Sequence, residues 1–184
     1  MLVVIALCLA SVPLAGGSLM RLGELELRRP GLALGGLGLQ VLIVTLAPAG
    51  LGGLHEILHL ASYALLGAFG WANRRVTGVA VVLAGGALNL VPILANGGVM
   101  PADPSVAQVA AVQARPGRFV NSAPVADPQL GFLGDVLATP ATLPLHNVYS
   151  VGDVVIVLGL LIVVHAACQR QNAASSRARP TGSS

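Results

Sequence analysis

Two histidines and a glutamate lie close together in the segment His55-Glu56-Ile57-Leu58-His59. The segment matches the pattern His-Glu-x-x-His, which on a helix places both imidazoles on one face. The two rings could bind one zinc ion, and Glu56 could act as a general base toward zinc-bound water. A catalytic zinc needs a third protein ligand, for which the sequence offers Asp135, His146 and Asp153. A membrane-embedded metal-dependent hydrolase is therefore one hypothesis.

We prefer an interpretation of this segment without a metal site, in which its polar side chains simply lie at a membrane surface. The pattern fixes only three positions, and two histidines and a glutamate at a membrane surface reach the water between the headgroups. Asp153 is explained without a metal, because Ser150 and Asp153 fit a capping box at the start of a helix. We therefore predict no catalytic residue and no cofactor, and keep His55 and His59 only as candidate metal ligands.

Polar side chains inside apolar segments are the other candidates for chemistry. Asn89 lies near Pro92 in one such segment, and Gln40 lies in another. Interhelical hydrogen bonds that fix packing explain both, and His165 is expected to reach interfacial water. No Asp, Glu or Arg falls clearly at mid-membrane, which disfavours a proton-coupled transporter. A small-molecule transporter or channel built as an oligomer remains a second alternative.

The composition indicates lipid as the solvent for much of the chain. Of 184 residues, 55% are hydrophobic and 9% are charged, whereas soluble domains carry roughly 25% charged residues. The net charge of +3 forms no basic stripe, which argues against nucleic-acid binding. Cys8 and Cys168 have no metal-binding or redox spacing and are expected to behave as small hydrophobic residues.

The elements that would position these side chains are apolar segments of about 18–20 residues, enough to cross about 30 Å of hydrocarbon. The sequence predicts an all-α, polytopic transmembrane bundle within residues 1–168. Its spans are expected at about residues 1–20, 32–49, 54–73, 77–95 and 151–167. Residues 96–150 form a long outer loop, and residues 169–184 a disordered cytoplasmic tail.

The arginines predict the orientation. If the N-terminus is outside, eight of the ten arginines are cytoplasmic and only Arg115 and Arg118 are not. Trp71 then lies near the inner interface and Tyr149 near the outer one. We expect a multi-pass plasma-membrane protein with its N-terminus outside and its C-terminus in the cytoplasm.

The long loop contains seven prolines. Pro104–Ala114 is expected to form a short helix capped by Asp103. Leu130–Leu145 is apolar but interrupted by Asp135 and two prolines, which favours an interfacial or re-entrant segment. Asp135 is expected to cap a short helix or to pair with Arg115 or Arg118. Membrane lipid is the expected partner, with a second copy of the chain as another. Small residues four positions apart are consistent with close helix packing, as in Gly31 and Gly35, Ala64 and Ala68, and Ala80 and Ala84.

Three blocks of the chain resemble an uncharacterised family of bacterial multi-pass membrane proteins. The blocks are Asn96-Gly97-Gly98-Val99-Met100-Pro101, Phe132-Leu133-Gly134-Asp135 and Tyr149-Ser150-Val151-Gly152-Asp153. The Asn-Gly-Gly-x-Met-Pro block is the most specific of the three, and the similarity covers nearly the whole chain short of the tail. The resemblance implies a membrane location and no established activity.

All three blocks map to the outer loop or to its junctions with the spans. Gly97 and Gly98 permit positive φ and a sharp exit from the membrane, and Pro101 prevents the helix from continuing. We therefore expect a folded cap over the bundle, which serves as a binding site for a lipid or small ligand or as a docking surface. Its candidate binding or structural residues are Asn96, Gly97, Gly98, Met100, Pro101, Asp135, Ser150 and Asp153.

Overall fold

The structure is a computed structural model, which describes residues 2–46, 53–106, 122–139 and 148–169. Its main helices are α1 (Leu2–Leu14), α2 (Pro30–Leu46), α3 (Gly53–Ala72), α4 (Val79–Ala95) and α5 (Val151–Gln169). The described chain is mostly helical, which confirms the all-α prediction. The tail from residue 170 onward lies outside the described residues.

Neighbouring helices run antiparallel in two pairs. In the α2–α3 pair, the Gln40 amide donates to the Ser62 hydroxyl over 3.2 Å, so the expected interhelical hydrogen bond is present. Asn73 just beyond α3 is bonded to the backbone of Arg28 just before α2. In the α4–α5 pair, the start of α4 lies beside the second half of α5 and the end of α4 beside the start of α5.

Glycines on α4 and α5 let these two helices pack backbone to backbone. A Cβ added at Gly85 would lie 2.6 Å from the backbone nitrogen of Ile156, and one at Gly159 would lie 2.6 Å from that of Val82. A Cβ added at Gly31, by contrast, would meet no atom within 4 Å. The pair Gly31 and Gly35, four positions apart, therefore does not mark the closest contact between helices.

The first helix is shorter than predicted. It ends at Leu14 rather than near residue 20, and a 3₁₀ helix follows at Leu19–Glu24. The chain turns at Gly16, whose φ of +74° favours glycine, and Gly17 then packs against Val12 and Cys168. Because Gly16 takes the left-handed conformation, the α-helix cannot continue through it.

Helix α1 runs parallel to α5. The Ser11 hydroxyl lies 2.8 Å from Nε2 of His165, and Arg21 donates to the carbonyl of Cys168 over 2.9 Å. His165 therefore makes an interhelical hydrogen bond, and the expectation that it only reaches interfacial water was wrong. Sequence distance hid this contact, since the two residues lie at opposite ends of the chain.

Among the described helices, α5 alone has both the length and the hydropathy to cross a membrane. Three shorter apolar helical segments are Val4–Leu14, Pro30–Ile43 and Val79–Ala95. Helix α3 has 20 residues, but His55, Glu56 and His59 in its first two turns make that end polar. By this criterion the prediction of about five spans is not supported.

The helix directions give the bundle two chemically different ends. Arg21 and the end of α5 lie together at one end, which also holds Arg28, Asn73 and the turn between α3 and α4. This end is called the arginine end, and its basic residues are Arg21, Arg28, Arg29, Arg74 and Arg75. The opposite end, where α4 stops and α5 starts, carries the described part of the loop and is called the capped end.

The loop holds short strands that its sequence did not predict. Strand β1 (Met100–Pro101) pairs in parallel with β2 (Ser122–Ala123). Strand β3 (Asp135–Ala138) pairs antiparallel with β4 (Val148–Ser150), which leads directly into α5. Of the predicted interfacial or re-entrant segment Leu130–Leu145, the described residues 130–139 contain a 3₁₀ turn at Gly131–Leu133 and strand β3, and the rest lies outside the described residues.

A helical turn begins at Pro104, and the backbone N–H of Ser105 donates to the Asp103 carboxylate over 2.7 Å. The expected cap is therefore present, and hydrogen bonds from Ser105 lower the pKa of Asp103. The rest of the predicted Pro104–Ala114 helix lies outside the described residues. So do Arg115, Arg118 and residues 140–147.

Candidate functional site

The first two sequence blocks meet directly in the cap. Ala102 forms a parallel bridge with Asp135, and the backbone N–H of Asp103 donates to the carbonyl of Asp135 over 3.0 Å. Gly134 lies against the carbonyl of Pro101 so closely that a Cβ there would collide with it. The glycine of the second block is thus required by the proline of the first.

Asn96 ties the end of α4 to the loop. Its side-chain amide donates to the carbonyls of Pro92 and Gln129 over 2.8 and 2.7 Å, and its oxygen accepts from the Gln129 N–H over 3.0 Å. The next two residues, Gly97 and Gly98, have φ values of +68° and +92°. The predicted need for positive φ is confirmed, since this sharp exit is what turns the chain back over the bundle.

The third block forms the predicted capping box. The Ser150 N–H donates to the Asp153 carboxylate over 3.1 Å, and the Asp153 N–H donates to the Ser150 hydroxyl over 3.0 Å. Asn89 of α4 joins this box from across the bundle. Its amide donates to Asp153 over 3.0 Å, and its oxygen accepts from the Ser150 hydroxyl over 2.7 Å. Asn89 therefore makes the expected interhelical hydrogen bonds.

The two histidines lie on the buried side of α3. His55 is 1% exposed and His59 is 5% exposed, while Glu56 between them is exposed. Tyr63, one turn further along α3, packs edge-on against His59 with ring centroids 5.1 Å apart. The sequence analysis did not single out Tyr63, although its spacing of four residues from His59 placed it on the same face.

The first turn of α3 lies against the start of the cap. Glu56 lies against Gly98, where an added Cβ would be 3.1 Å from its side chain. Tyr63 lies within electrostatic range of both Asp135 and Asp153. One region at the capped end thus brings together the His-Glu-x-x-His segment and acidic residues from the second and third blocks.

Asp135 is a buried carboxyl group, 7% exposed, at the start of β3. Burial raises its pKa above the ordinary value, and the negative charge of Asp153 raises it further. Asp135 begins a strand, opposite Ser150. The prediction that Asp135 caps a short helix was therefore wrong. The predicted pairing with Arg115 or Arg118 falls on residues outside the described ones.

A metal centre requires at least three converging ligands. Within residues 2–46, 53–106, 122–139 and 148–169, no three His, Cys, Asp or Glu side chains are placed to hold a metal ion. Asp135 and Asp153 therefore do not complete a ligand set with His55 and His59. His146, the other proposed third ligand, lies outside these ranges.

Met100 and Pro101, the remaining predicted residues, are buried in the cap. Met100, 6% exposed, and the fully buried Pro101 form β1, beneath which the end of α4 packs. The structure thus gathers all eight predicted loop residues at one end of the bundle.

The chain matches the model of a protein family. The model of DUF5317, described as a family of unknown function, matches residues 24–165, which is more than half of the chain. The match spans all three sequence blocks. Searches of curated proteins and of solved structures each returned no match.

Proposed function

Because the chain belongs to DUF5317, a family of unknown function, we propose its role from the geometry of the capped end. The proposed function is that of a multi-pass membrane protein which binds a small polar ligand, such as a lipid headgroup, beneath an outer cap. The observation that carries this proposal is the burial of His55, His59 and Asp135 where the cap meets the helices.

Exposed apolar side chains support a lipid environment. Leu34 of α2 is 71% exposed and Ile57 of α3 is 63% exposed, and only 17% of the apolar window of α5 is buried. Soluble monomers rarely expose apolar patches larger than a few hundred Å². Surfaces of this kind on successive helices are stable in hydrocarbon.

Helix lengths are compatible with about five spans if the bilayer adapts locally. Helices α2 and α4 have 17 residues each and α5 has 19, which gives about 25–29 Å at about 1.5 Å per residue. A short span is accommodated by bilayer thinning and by flanking residues. Helix α1, with 13 residues, reaches about 20 Å and is the weakest of the proposed spans.

The arginine end supports the proposed orientation. It gathers five described arginines, whereas the described part of the capped end carries Asp103, Asp127, Asp135 and Asp153. Arginines accumulate on the cytoplasmic side of membrane proteins. We therefore assign the arginine end to the cytoplasm of a plasma-membrane protein and the capped end to the outside.

Buried polar groups support ligand binding at the capped end. Two imidazoles and the Asp135 carboxyl provide hydrogen-bond donors and acceptors away from bulk water, and the half-buried Tyr63 ring packs against one of the imidazoles. Binding sites combine apolar walls with a few such groups. A headgroup or small polar molecule is the class of ligand that this set of groups fits.

Native mass spectrometry of the protein purified in a mild detergent tests this proposal. We expect the wild-type chain to retain an additional small-molecule mass, and His59→Ala to lose it. His165→Ala is the matched control, because His165 is a histidine at the opposite end of the bundle. Retention of the same mass by His59→Ala, or no added mass on the folded wild-type chain, would contradict ligand binding beneath the cap.

A further inference from the structure

A cavity lies at the arginine end, away from the cap. Its volume is about 510 Å³. Three arginines and the only tryptophan of the chain contribute to its wall. The lining residues are Arg28, Arg29, Ala68, Trp71, Ala72 and Arg74.

Hydrogen bonds fix the backbone of Arg28 and the side chain of Arg74 beside the cavity. Asn73, 3% exposed, accepts from the Arg28 N–H over 2.7 Å and donates to the Arg28 carbonyl over 2.9 Å. The Arg74 guanidinium lies 4.6 Å from the centroid of the Trp71 ring and donates to the Trp71 carbonyl over 2.9 Å. The segment before α2 is thereby fixed against the end of α3, with basic side chains on both sides.

Among the residues that the structure describes, no acidic side chain neutralises the charge of this cavity. All seven acidic residues of the chain lie among the described residues, and none forms an ion pair with Arg28, Arg29 or Arg74 in the structure. Glu24 and Glu26 precede the cavity and are exposed. Arg28, Arg29 and Arg74 bring three like charges to the lining of one cavity, and an anion bound there would relieve their mutual repulsion.

Guanidinium groups are suited to phosphate because their planar N–H donors match phosphate oxygens in pairs. Tryptophan prefers the level of lipid headgroups, and Trp71 is 64% exposed beside these arginines. Basic pockets between helices on the cytoplasmic side are suited to anionic headgroups.

We propose that the cavity lined by Arg28, Arg29, Trp71 and Arg74 binds the phosphate of an anionic phosphate ester, foremost a phospholipid headgroup. Binding of a phospholipid headgroup rests on the membrane placement proposed above, whereas binding of a free phosphate does not. The three guanidinium groups hold the phosphate, and the exposed Trp71 ring lies beside the first carbons of the lipid.

Trp71 makes this proposal directly measurable, because the chain contains no other tryptophan. Full-length protein in an uncharged detergent is titrated with micelles that contain brominated phosphatidylglycerol, and Trp71 quenching is recorded. Brominated phosphatidylcholine is the zwitterionic comparison. Inorganic phosphate is titrated separately, both alone and as a competitor of the quenching lipid.

The matched variants are Arg28→Gln and Arg75→Gln. Arg28 lines the cavity, while Arg75 is an exposed arginine of the same end that does not. The Asn73 bonds use only the backbone of Arg28 and survive the substitution. We expect saturable quenching by phosphatidylglycerol, at least tenfold weaker in Arg28→Gln and changed less than twofold in Arg75→Gln.

Competition by inorganic phosphate would identify a site for phosphate itself, and the absence of competition would identify one for the intact headgroup. Equal quenching by the two lipids would overturn the proposal, as would an equal loss in Arg28→Gln and Arg75→Gln. Both variants are first checked for an unchanged unfolding temperature. The readout is independent of the capped end, so loss of ligand binding there leaves this test intact.

Discussion

Replacing Gly85 by alanine tests the packing of α4 against α5. The added Cβ would lie 2.6 Å from the Ile156 nitrogen and 2.7 Å from the Gly152 carbonyl oxygen. Both neighbours are backbone atoms of a helix, so neither can rotate away. The two helices must therefore move apart, which also stretches the hydrogen bonds between Asn89 and the start of α5.

Overpacking of this kind costs about 1–3 kcal/mol. The intrinsic preference of a helix for alanine over glycine returns about 0.5–1 kcal/mol. For a chain of this size, each kcal/mol shifts the unfolding temperature by about 2–4 °C. The net cost is therefore about 0.5–2 kcal/mol, and the expected decrease in unfolding temperature for Gly85→Ala is on the order of 1–8 °C.

Gly86→Ala is the matched control on the same helix, because a Cβ at Gly86 would meet no atom within 4 Å. We expect this variant to unfold at the wild-type temperature or slightly above it. Trp71 fluorescence during heating in detergent measures both variants. Equal unfolding temperatures for Gly85→Ala and Gly86→Ala would refute the backbone-to-backbone contact.

Three further predictions follow from the capped end. Asn89→Ala should lower the free energy of unfolding by about 1–3 kcal/mol, since it removes the acceptor of the buried Ser150 hydroxyl and one donor to the Asp153 carboxylate, and chemical denaturation in detergent measures this. Because burial raises the pKa of Asp135, the folded chain binds its proton more tightly than the unfolded chain. The stabilisation is thus complete below about pH 3.8 and is lost as pH rises through the raised pKa, and Asp135→Asn should remove this slope from thermal melts. Purified protein should hold less than one zinc per chain by elemental analysis; stoichiometric zinc abolished by His59→Ala would contradict this.

The local signals in the sequence predicted the features that depend on neighbouring residues. The capping box of Ser150 and Asp153 and the positive φ of Gly97 and Gly98 were both found. Helix α3 begins and ends within one residue of the predicted 54–73 span. Such features depend on spacing and on backbone sterics, which the chain carries locally.

Features that depend on distant residues were not predicted. Strands β1 and β2 have two residues each, too few for an alternating pattern to be recognised. Gly134 is explained only by the carbonyl of Pro101, more than thirty positions earlier in the chain. The pairing of Ser11 with His165 likewise required the structure, because nothing local distinguishes it from solvation.

The sequence grouped the loop residues of the candidate site in the outer loop, but it did not predict the contacts that join them. The three sequence blocks do meet at the capped end, through the contact of Gly134 with the Pro101 carbonyl and the pairing of Asp135 with Ser150. The contribution of α3 was considered only for zinc, and Tyr63 was not considered. Tertiary packing decides which face of a helix meets a loop. These apolar helices are only weakly amphipathic, so their sequences do not predict that face.

Cysteine labelling in intact cells tests the central claim of a membrane bundle with an outer cap most directly. Cys8 and Cys168 are buried and are replaced by alanine. Ala126→Cys in the cap and Arg75→Cys at the arginine end then each provide one exposed thiol. A membrane-impermeant maleimide should label Ala126→Cys in intact cells and Arg75→Cys only after permeabilisation. Labelling of both variants in intact cells, or of Arg75→Cys alone, would contradict the account.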